Sequence, residues 1–191
     1  NIQASLLRTV KFLQDACRSD ICGSTLSMVY IPVIKGRRGN VKIYTGHIGD
    51  SPIFTWNKKG KLFASALHNV GENAGDVKVI EKRHRDKIKQ GELYISRNGI
   101  NFLARYLQLT RSIGDQYFEN ILLRTAESSQ FEVKNNSPII VASDGIFVQN
   151  DTQEIIVEIL DLAAKGNDAE EIGTWILDQT AHDNVTLVIA R

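Results

Sequence analysis

The sequence predicts an α+β fold in which β-sheets lie between layers of helices. Apolar residues recur at helical spacing near both ends of the 191-residue chain. The region between them carries short β-branched runs separated by turn residues, which is typical of strands joined as hairpins. Strands connected in this way pair with their sequence neighbours, so the sheets should be antiparallel.

The first predicted element is a helix whose apolar residues recur every three or four positions, with no capping residue before them. These residues are Ile2, Leu6, Val10, Leu13 and Cys17. The chain begins at Asn1 instead of a methionine, and its first residues already have the pattern of a helix interior. We therefore expect a fragment or a processed product, in which residues 1–191 form one domain that is incomplete at its N-terminus.

The middle of the chain is predicted to be rich in strands. In chain order, the predicted elements are strands at 26–33, 41–46, 53–56 and 61–64, a helix at 76–89, an irregular surface flap at 91–106, and strands near 122–124 and 131–133. Lys58-Lys59-Gly60 separates two apolar runs and predicts a tight hairpin there. The flap is our candidate for a loop that contributes to substrate selectivity.

Two further helices are predicted before the last strand. Asp151 and Glu154 have the spacing of a capping box at the start of the first helix, and Lys165-Gly166 ends it. Asp168 and Glu171 open the second helix. A final strand is predicted over residues 184–191.

The composition excludes several classes of protein. With 42% hydrophobic and 24% charged residues, it is that of a globular protein. A net charge of +1 is too small for a dedicated nucleic-acid binder. No apolar run is long enough to span a bilayer, and no secretory signal is visible. We therefore expect an intracellular, cytoplasmic protein without nucleic-acid or membrane partners.

The two cysteines, Cys17 and Cys22, are the only ones in the chain. No cluster of histidine or cysteine surrounds them, so neither a zinc site nor a disulfide framework is predicted. We expect both to be buried, reduced thiols.

Two aspartates lie at the ends of apolar runs that have the pattern of buried strands. Ser143-Asp144-Gly145 directly follows the run 138–142, and Asp183-Asn184 directly precedes the run 185–189. Each aspartate alone is also a common turn residue. If the two strands bring them together, however, their carboxylates form the hard-oxygen site that Mg²⁺ or Mn²⁺ prefers. This arrangement favours metal-assisted hydrolysis.

Five short motifs occur in order along the chain, and together they resemble those of the metal-dependent serine/threonine protein phosphatases of type 2C. They are Gly23-Ser24-Thr25, Gly49-Asp50-Ser51, Leu109-Thr110-Arg111-Ser112-Ile113-Gly114-Asp115, Ala142-Ser143-Asp144-Gly145 and Asp183-Asn184-Val185-Thr186. The resemblance extends from Gly23 to the terminal strand. The third and fourth motifs are its most specific parts.

The resemblance implies a four-layer α-β-β-α sandwich, in which two antiparallel sheets are flanked by helix pairs. It also implies that Asp144 and Asp183 correspond to metal ligands of a Mg²⁺ or Mn²⁺ pair, whose bridging water attacks a phosphoserine or phosphothreonine. We interpret Asp50, Arg111 and Asp115 as residues that brace the motifs. Arg111 is hypothesised to pair with a carboxylate beneath the site.

The sequence departs from the family pattern in three ways. The Asp-Gly-His-Gly motif, which supplies the bridging aspartate and the general acid, is absent from this chain, so no catalytic residue is assigned. Leu67-His68 stands where the family usually has Asp-His, and Val148 stands where an aspartate is common. Leucine and valine cannot ligate a cation, so an additional metal at that edge should bind weakly or not at all.

The remaining basic groups favour a structural interpretation. His47 and His84 are expected to be structural or surface residues, and His182 to lie in an exposed turn. The run 82–85 is flanked by Glu81 and Asp86, which is typical of a solvated helix face.

Three functions follow from these observations. The first is a metal-dependent phosphatase acting on phosphorylated proteins. The second is a catalytically inactive relative that binds a regulatory protein, and the third is an unrelated β-sandwich. Because each hard cation requires about six oxygen ligands, we expect residues 1–191 alone to bind Mn²⁺ weakly and to hydrolyse phosphoesters poorly.

Overall fold

The chain forms helices and antiparallel strands in the computed structural model. The model describes residues 1–32, 39–86, 94–97, 100–104, 106–147, 152–179 and 183–191. In chain order, the elements are α1 (Ile2–Ala16), β1 (Gly23–Ser24), β2 (Leu26–Tyr30), β3 (Val41–Ile48), β4 (Ile53–Trp56), β5 (Leu62–Ala64), α2 (Ala74–Arg83), β6 (Tyr94–Arg97), β7 (Ile100–Leu103), β8 (Ile113–Gly114), β9 (Glu127–Val133), β10 (Ile139–Ala142), α3 (Thr152–Lys165), α4 (Ala169–Asp178) and β11 (Leu187–Ala190).

These elements are divided between two compact units. Unit 1 comprises residues 1–26, 46–50 and 66–128, and unit 2 comprises residues 27–45, 51–65 and 129–191. The expectation that residues 1–191 form one domain remains a prediction.

Unit 1 is built from α1, α2 and two pairs of antiparallel strands, β1 with β8 and β6 with β7. Its apolar core forms where α2 packs against the segment that precedes β9. The buried residues of this core are Val70, Ile80, Leu103, Ile121, Leu122 and Leu123. Leu107 and Phe118 also pack against this core, which therefore holds both ends of the third sequence motif, the one that spans β8.

Unit 2 contains a four-stranded sheet in the order β11-β10-β4-β5. Its described pairings are antiparallel, and α3 and α4 pack on one face of it. Both helices carry apolar residues at helical spacing, and these face Phe54, Ile140 and Ala142 of the sheet. The central strand β10 is therefore almost fully buried, and the residues that follow it are held rigidly.

The second sheet of unit 2 has the order β2-β3-β9. It packs against the first sheet through a core of Ile43, Val133 and Ile139. The rings of Phe63 and Phe131 extend this contact, with their centroids 4.0 Å apart. Unit 2 thus stacks a helix pair on one sheet and a second sheet on the other face. The predicted α+β class with antiparallel sheets is confirmed.

Three predicted elements differ from the structure. Residues 91–106 were expected to be irregular, but β6 and β7 form an antiparallel hairpin in which Tyr94 pairs with Leu103. The sequence places Asn98-Gly99 between these strands, a dipeptide that favours a two-residue hairpin turn. The strand expected near 122–124 is absent, because Leu122 and Leu123 pack into the core of unit 1 from a turn. The helix expected over 76–89 begins at Ala74 and is interrupted after Arg83, and residues 87–89 of that prediction lie outside the described residues.

The N-terminus and the cysteines also differ from expectation. Asn1 caps α1, since its side chain accepts a hydrogen bond from the N–H of Gln3 at 3.2 Å. Both cysteines are free, but Cys22 is exposed and Cys17 only partly buried, so the expected burial was wrong. None of the described helices is both long and apolar enough to cross a bilayer.

The capping box of α4 provides a test of local stability. Asp168 accepts hydrogen bonds from the N–H groups of Glu170 and Glu171, and Glu171 accepts one from the N–H of Asp168. Replacing Asp168 with alanine should lower the free energy of unfolding by about 1 kcal/mol, as measured by urea denaturation. Asp161→Ala, on the exposed face of α3, removes a carboxylate that caps nothing and should cost less than about 0.5 kcal/mol. Equal losses would show that the cap contributes nothing.

Candidate functional site

Asp144 and Asp183 lie at the same end of two paired strands. β10 and β11 are antiparallel, and their register runs from Ile139 opposite Ala190 to Ala142 opposite Leu187. The chain leaves β10 through Ser143 and Asp144 at the end where it enters β11. The pairing of β10 with β11 therefore brings together aspartates that are separated by 39 positions in the sequence.

Ser143 extends this pairing beyond the last strand residue. Its N–H donates to the carbonyl of Thr186 at 3.0 Å, and its hydroxyl donates to the carbonyl of Asn184 at 3.1 Å. The hydroxyl oxygen also accepts from the N–H of Thr186 at 3.0 Å. The side chain of Ser143, which precedes Asp144, thus bonds to Asn184, which follows Asp183.

Gly145 allows the two turns to approach closely. A Cβ atom at this position would lie 2.2 Å from the carbonyl oxygen of Asn184, which is far inside van der Waals contact. Only glycine fits here without moving one turn away from the other. Packing therefore requires a glycine at position 145. In an ordinary Asp-Gly turn, no contact of this kind forces the glycine.

The two carboxylates repel one another. Partial burial raises the pKa of Asp144, and the nearby charge of Asp183 raises that pKa further. Backbone N–H groups of Asp144 and Gly145 offset part of this effect. One oxygen of Asp183 accepts from the N–H of Asn184 at 2.7 Å. Within the described residues, neither aspartate forms an ion pair with a lysine or arginine.

Unit 1 assembles the other sequence motifs. β1 pairs with β8, so Gly23 lies opposite Gly114. The carboxylate of Asp115 fills the space where a Cβ atom of Gly23 would lie. The hydroxyl of Ser112 donates to this carboxylate at 2.5 Å. Asp115 is buried and packs the first motif against the third.

Asp50 is buried in a turn that hydrogen bonds to His68 and Asn69 hold in place. The amide of Asn69 donates to the carboxylate of Asp50 at 3.2 Å. The N–H of Gly49 donates to Nδ1 of His68 at 3.0 Å, and the N–H of His68 donates to the carbonyl of Gly49 at 3.1 Å. The segment 68–69 therefore fixes the second motif through three hydrogen bonds.

Arg111 forms a bidentate ion pair with Asp76, at the N-terminal end of α2. Its Nε lies 2.7 Å from one carboxylate oxygen of Asp76, and one Nη lies 2.5 Å from the other. The same nitrogen lies 3.0 Å from Glu127, and Thr110 donates its hydroxyl to Asp76 at 2.7 Å. Burial raises the pKa of Asp76, but the hydrogen bonds of Arg111 and Thr110 outweigh burial and lower it. The carboxylate partner hypothesised for Arg111 is thus Asp76.

His47 and His68 form a buried ring stack beside this ion pair. The ring centroids lie 4.7 Å apart and the planes differ by 5°. Nε2 of His68 lies 3.3 Å from Glu127, and Nε2 of His47 lies 3.0 Å from the carbonyl of Ala66. No local pattern predicts this contact, because 20 residues separate the two histidines from one another and 58 separate His68 from Glu127.

The cluster of His47, His68 and Glu127 has the composition of a metal site, since one ligand atom from each lies within 4.8 Å of the others. Its geometry opposes metal binding. An ion lies in the plane of each imidazole that binds it, and two parallel stacked planes do not meet. Nδ1 of His68 already accepts the N–H of Gly49, so its proton is on Nε2. Arg111 adds a positive charge beside Glu127. We interpret the cluster as structural.

The predicted site residues therefore fall into two groups. Asp144 and Asp183 come together in unit 2, and Asp50, Arg111 and Asp115 lie in unit 1, each with a different polar partner. Val148 and His182 lie outside the described residues. The ligand and bracing roles remain predictions.

The family model of protein phosphatase 2C matches residues 2–186 of this sequence. This chain belongs to the protein phosphatase 2C family. The match includes all five motifs, so the resemblance seen in the sequence is confirmed. Membership of this family is the basis on which Asp144 and Asp183, at the ends of their strands, are interpreted below.

One curated relative and one solved structure illustrate what this chain is similar to. Protein phosphatase 2C homolog 1 of Saccharomyces cerevisiae is 23% identical over 149 residues, which cover 78% of this chain and 49% of that protein. A sex-determining protein of C. elegans has a TM-score of 0.75 at 18% identity, over 99% of this chain and 46% of that one. This chain thus spans about half the length of these relatives.

A second similar structure is a catalytic domain that was solved with metal. The domain of the serine/threonine protein phosphatase PstP, in complex with two manganese ions, has a TM-score of 0.52 at 15% identity. The match covers 98% of this chain and 68% of that one. At these identities, the similarity shows a shared fold.

The buried ion pair of unit 1 should contribute strongly to stability. Asp76→Asn would leave Arg111 with Glu127 as its one described carboxylate partner, and we expect the free energy of unfolding to fall by about 3 kcal/mol. Glu119→Gln breaks an exposed pair in the same unit, in which Arg18 and Glu119 lie 2.7 Å apart, and should cost less than about 1 kcal/mol. Urea denaturation of both variants measures the difference. Similar losses would contradict a special role for the buried pair.

The histidine stack should make stability depend on pH. Burial lowers the pKa of His68 from 6.5 to about 4, and the charge of Arg111 and the ring of His47 act in the same direction. Between these values the unfolded chain binds a proton that the folded chain does not, so stability is complete above pH 6.5 and is lost as pH falls towards 4. His68→Asn keeps an acceptor for the N–H of Gly49 but does not titrate.

Urea denaturation at several pH values tests this expectation. The loss of stability between neutral and acidic pH should be smaller in His68→Asn than in the unsubstituted chain. Part of the dependence should persist, because burial also lowers the pKa of His47. An identical pH dependence in both proteins would show that His68 is not responsible.

Proposed function

We propose that this chain is part of a metal-dependent protein phosphatase that hydrolyses phosphoserine or phosphothreonine in other proteins. The observation that carries this proposal is the proximity of Asp144 and Asp183 at one end of β10 and β11, in a chain of the protein phosphatase 2C family. Phosphorylated proteins are the proposed substrates. The cellular compartment remains a prediction.

The chemistry of the two aspartates fits a hard divalent cation. Both present carboxylate oxygens, which are the preferred ligands of Mg²⁺ and Mn²⁺. Their mutual repulsion, which raises the pKa of Asp144, would be relieved by a cation between them. Two carboxylates supply only part of the roughly six oxygens that each ion requires. Water, substrate phosphate or further protein groups must supply the others.

Asp144 and Asp183 would hold the metal, and the rigidity of their turns would fix its position relative to a phosphate. When bound, the metal supplies a water of lowered pKa and neutralises phosphate charge. Ser143 and Gly145 hold together the two turns that carry these carboxylates. We further propose that Asp50, Arg111 and Asp115 brace the motifs of unit 1, through Asn69, Asp76 and Ser112 respectively.

A second candidate function is a catalytically inactive module that binds a regulatory protein. The specific observation is the loss of acidic side chains where the family usually carries them, at Leu67 and Val148. Leu67 precedes the buried His68, and its side chain offers no oxygen to a cation. A domain with an incomplete ligand set could keep the fold and its surfaces while losing turnover.

Replacing Asp144 with asparagine in the full-length protein tests the phosphatase proposal. The neutral amide removes the negative charge of one ligand, so turnover of a phosphothreonine peptide with Mn²⁺ should fall by about a hundredfold or more. Mn²⁺ affinity, measured by calorimetry, should fall with it. The circular dichroism spectrum should not change, because asparagine has nearly the same size and shape as aspartate.

Asp178→Asn is the matched control, since it removes an exposed carboxylate at the end of α4. It should leave turnover unchanged. Full activity of Asp144→Asn would refute the ligand assignment. Full-length protein that neither binds Mn²⁺ nor hydrolyses the peptide would favour the inactive module.

A further inference from the structure

A groove lies between α3 and α4 on the surface of unit 2. It has a volume of about 250 Å³ and is lined by Glu158, Asp161, Leu162, Lys165 and Trp175. Leu162 and Trp175 are half-buried, and each also packs against the core beneath the helices. The groove therefore has an apolar and aromatic floor, which the core holds in place.

The rim of the groove is negatively charged. Glu158 and Asp161 are one helical turn apart on α3, so both carboxylates lie on the same side of that helix. Both are exposed, and no described lysine or arginine forms an ion pair with either. Lys165 is the single cation of the rim, in the last turn of α3 where the helix dipole favours it. The lining thus carries two carboxylates against one ammonium.

The negative charge continues over both helices. Residues 152–179 contain seven carboxylates and one lysine, in a chain whose net charge is +1. All seven are exposed, and they are Glu154, Glu158, Asp161, Asp168, Glu170, Glu171 and Asp178. The acidic helix pair repels the phosphates of nucleic acids and of anionic lipids. Its complementary partner is a cationic one.

We propose that this groove binds an arginine- or lysine-bearing segment of a partner protein. The cationic head of one side chain would lie against the indole of Trp175, which is the ring type that binds cations best, and would pair with Glu158 and Asp161. Its aliphatic stem would contact Leu162. The surrounding carboxylates would pair with further basic residues of the segment. This surface uses none of the residues proposed to bind metal.

Two other occupants are weaker candidates. A small polyamine would fill the groove but leave most of the flanking carboxylates unpaired. A second copy of the chain could contribute Lys82, Arg83 and Arg85, which are exposed near the end of α2. The length of the acidic surface favours an extended basic segment, because such a segment can pair with carboxylates on both helices.

Binding of a fluorescein-labelled peptide of alternating arginine and alanine, measured by anisotropy at physiological salt, tests the proposal. The double variant Glu158→Gln/Asp161→Asn should weaken binding by about fivefold or more. Asp20→Asn/Glu72→Gln removes the same charge from exposed positions of unit 1, outside the acidic helix pair, and should weaken it by less than about twofold. Trp175→Phe, which keeps an aromatic ring in the core, should weaken it by about twofold to threefold.

Nuclear magnetic resonance locates the contact. The indole N–H signal of Trp175 should shift on addition of the peptide, and that of Trp56 in β4 should not. Equal weakening by the two double variants, or an unchanged Trp175 signal, would show that only general surface charge binds the peptide and would overturn the proposal.

The same measurements exclude the other occupants. Spermidine that displaces the peptide at an equal concentration would assign the groove to a small polyamine. Self-association in sedimentation experiments without peptide, lost in Glu158→Gln/Asp161→Asn, would assign it to a second copy. Either result would overturn the proposal. Circular dichroism should show that all three variants fold, because the substituted carboxylates are exposed and Phe conserves the packing of Trp175.

Discussion

The antiparallel pairing of β10 with β11 is the constraint on which the candidate metal centre depends. Both strands are apolar and are held by the helix pair on one face and the second sheet on the other. Their register leaves no freedom in where the adjoining turns begin, because a shift by one residue would expose the buried face. Directly beyond the end of the sheet, Ser143 and Gly145 hold the two adjoining turns together. Two like charges can remain adjacent because the backbone, and not their own interaction, determines their separation.

In unit 1, the electrostatic cost comes from burying charged and polar side chains together. A buried carboxylate, a guanidinium and two imidazoles occupy one region, and each would be costly to bury alone. Asp76 is compensated by the bidentate contact with Arg111, whereas His47 and His68 are buried without charge. Residues from four separate segments meet here, so this network connects the second and third motifs with the first turn of α2. We interpret this network as structural, because its polar groups hold backbone segments in position.

Local signals in the sequence predicted the elements best. The capping pair Asp168 and Glu171, and the apolar runs before Asp144 and after Asp183, each depend on neighbouring residues and therefore appear in the sequence directly. The hairpin of β6 and β7 was missed although an Asn-Gly dipeptide marks it. The partners of Arg111 could not be identified, because Asp76 lies 35 positions away and any of several carboxylates would have served equally well. Long-range polar contacts are decided by the packing of distant segments, which the pattern of one segment does not contain.

The position of β11 has a practical consequence for handling the protein. In the described order of its sheet, β11 lies at one end, and Val188 within it is 60% exposed. A strand in this position presents backbone donors and acceptors to any extended chain that approaches, and an exposed valine makes such an encounter favourable. Concentrated samples of residues 1–191 are therefore at risk of edge-to-edge aggregation, and low protein concentration is the appropriate condition for purification and storage.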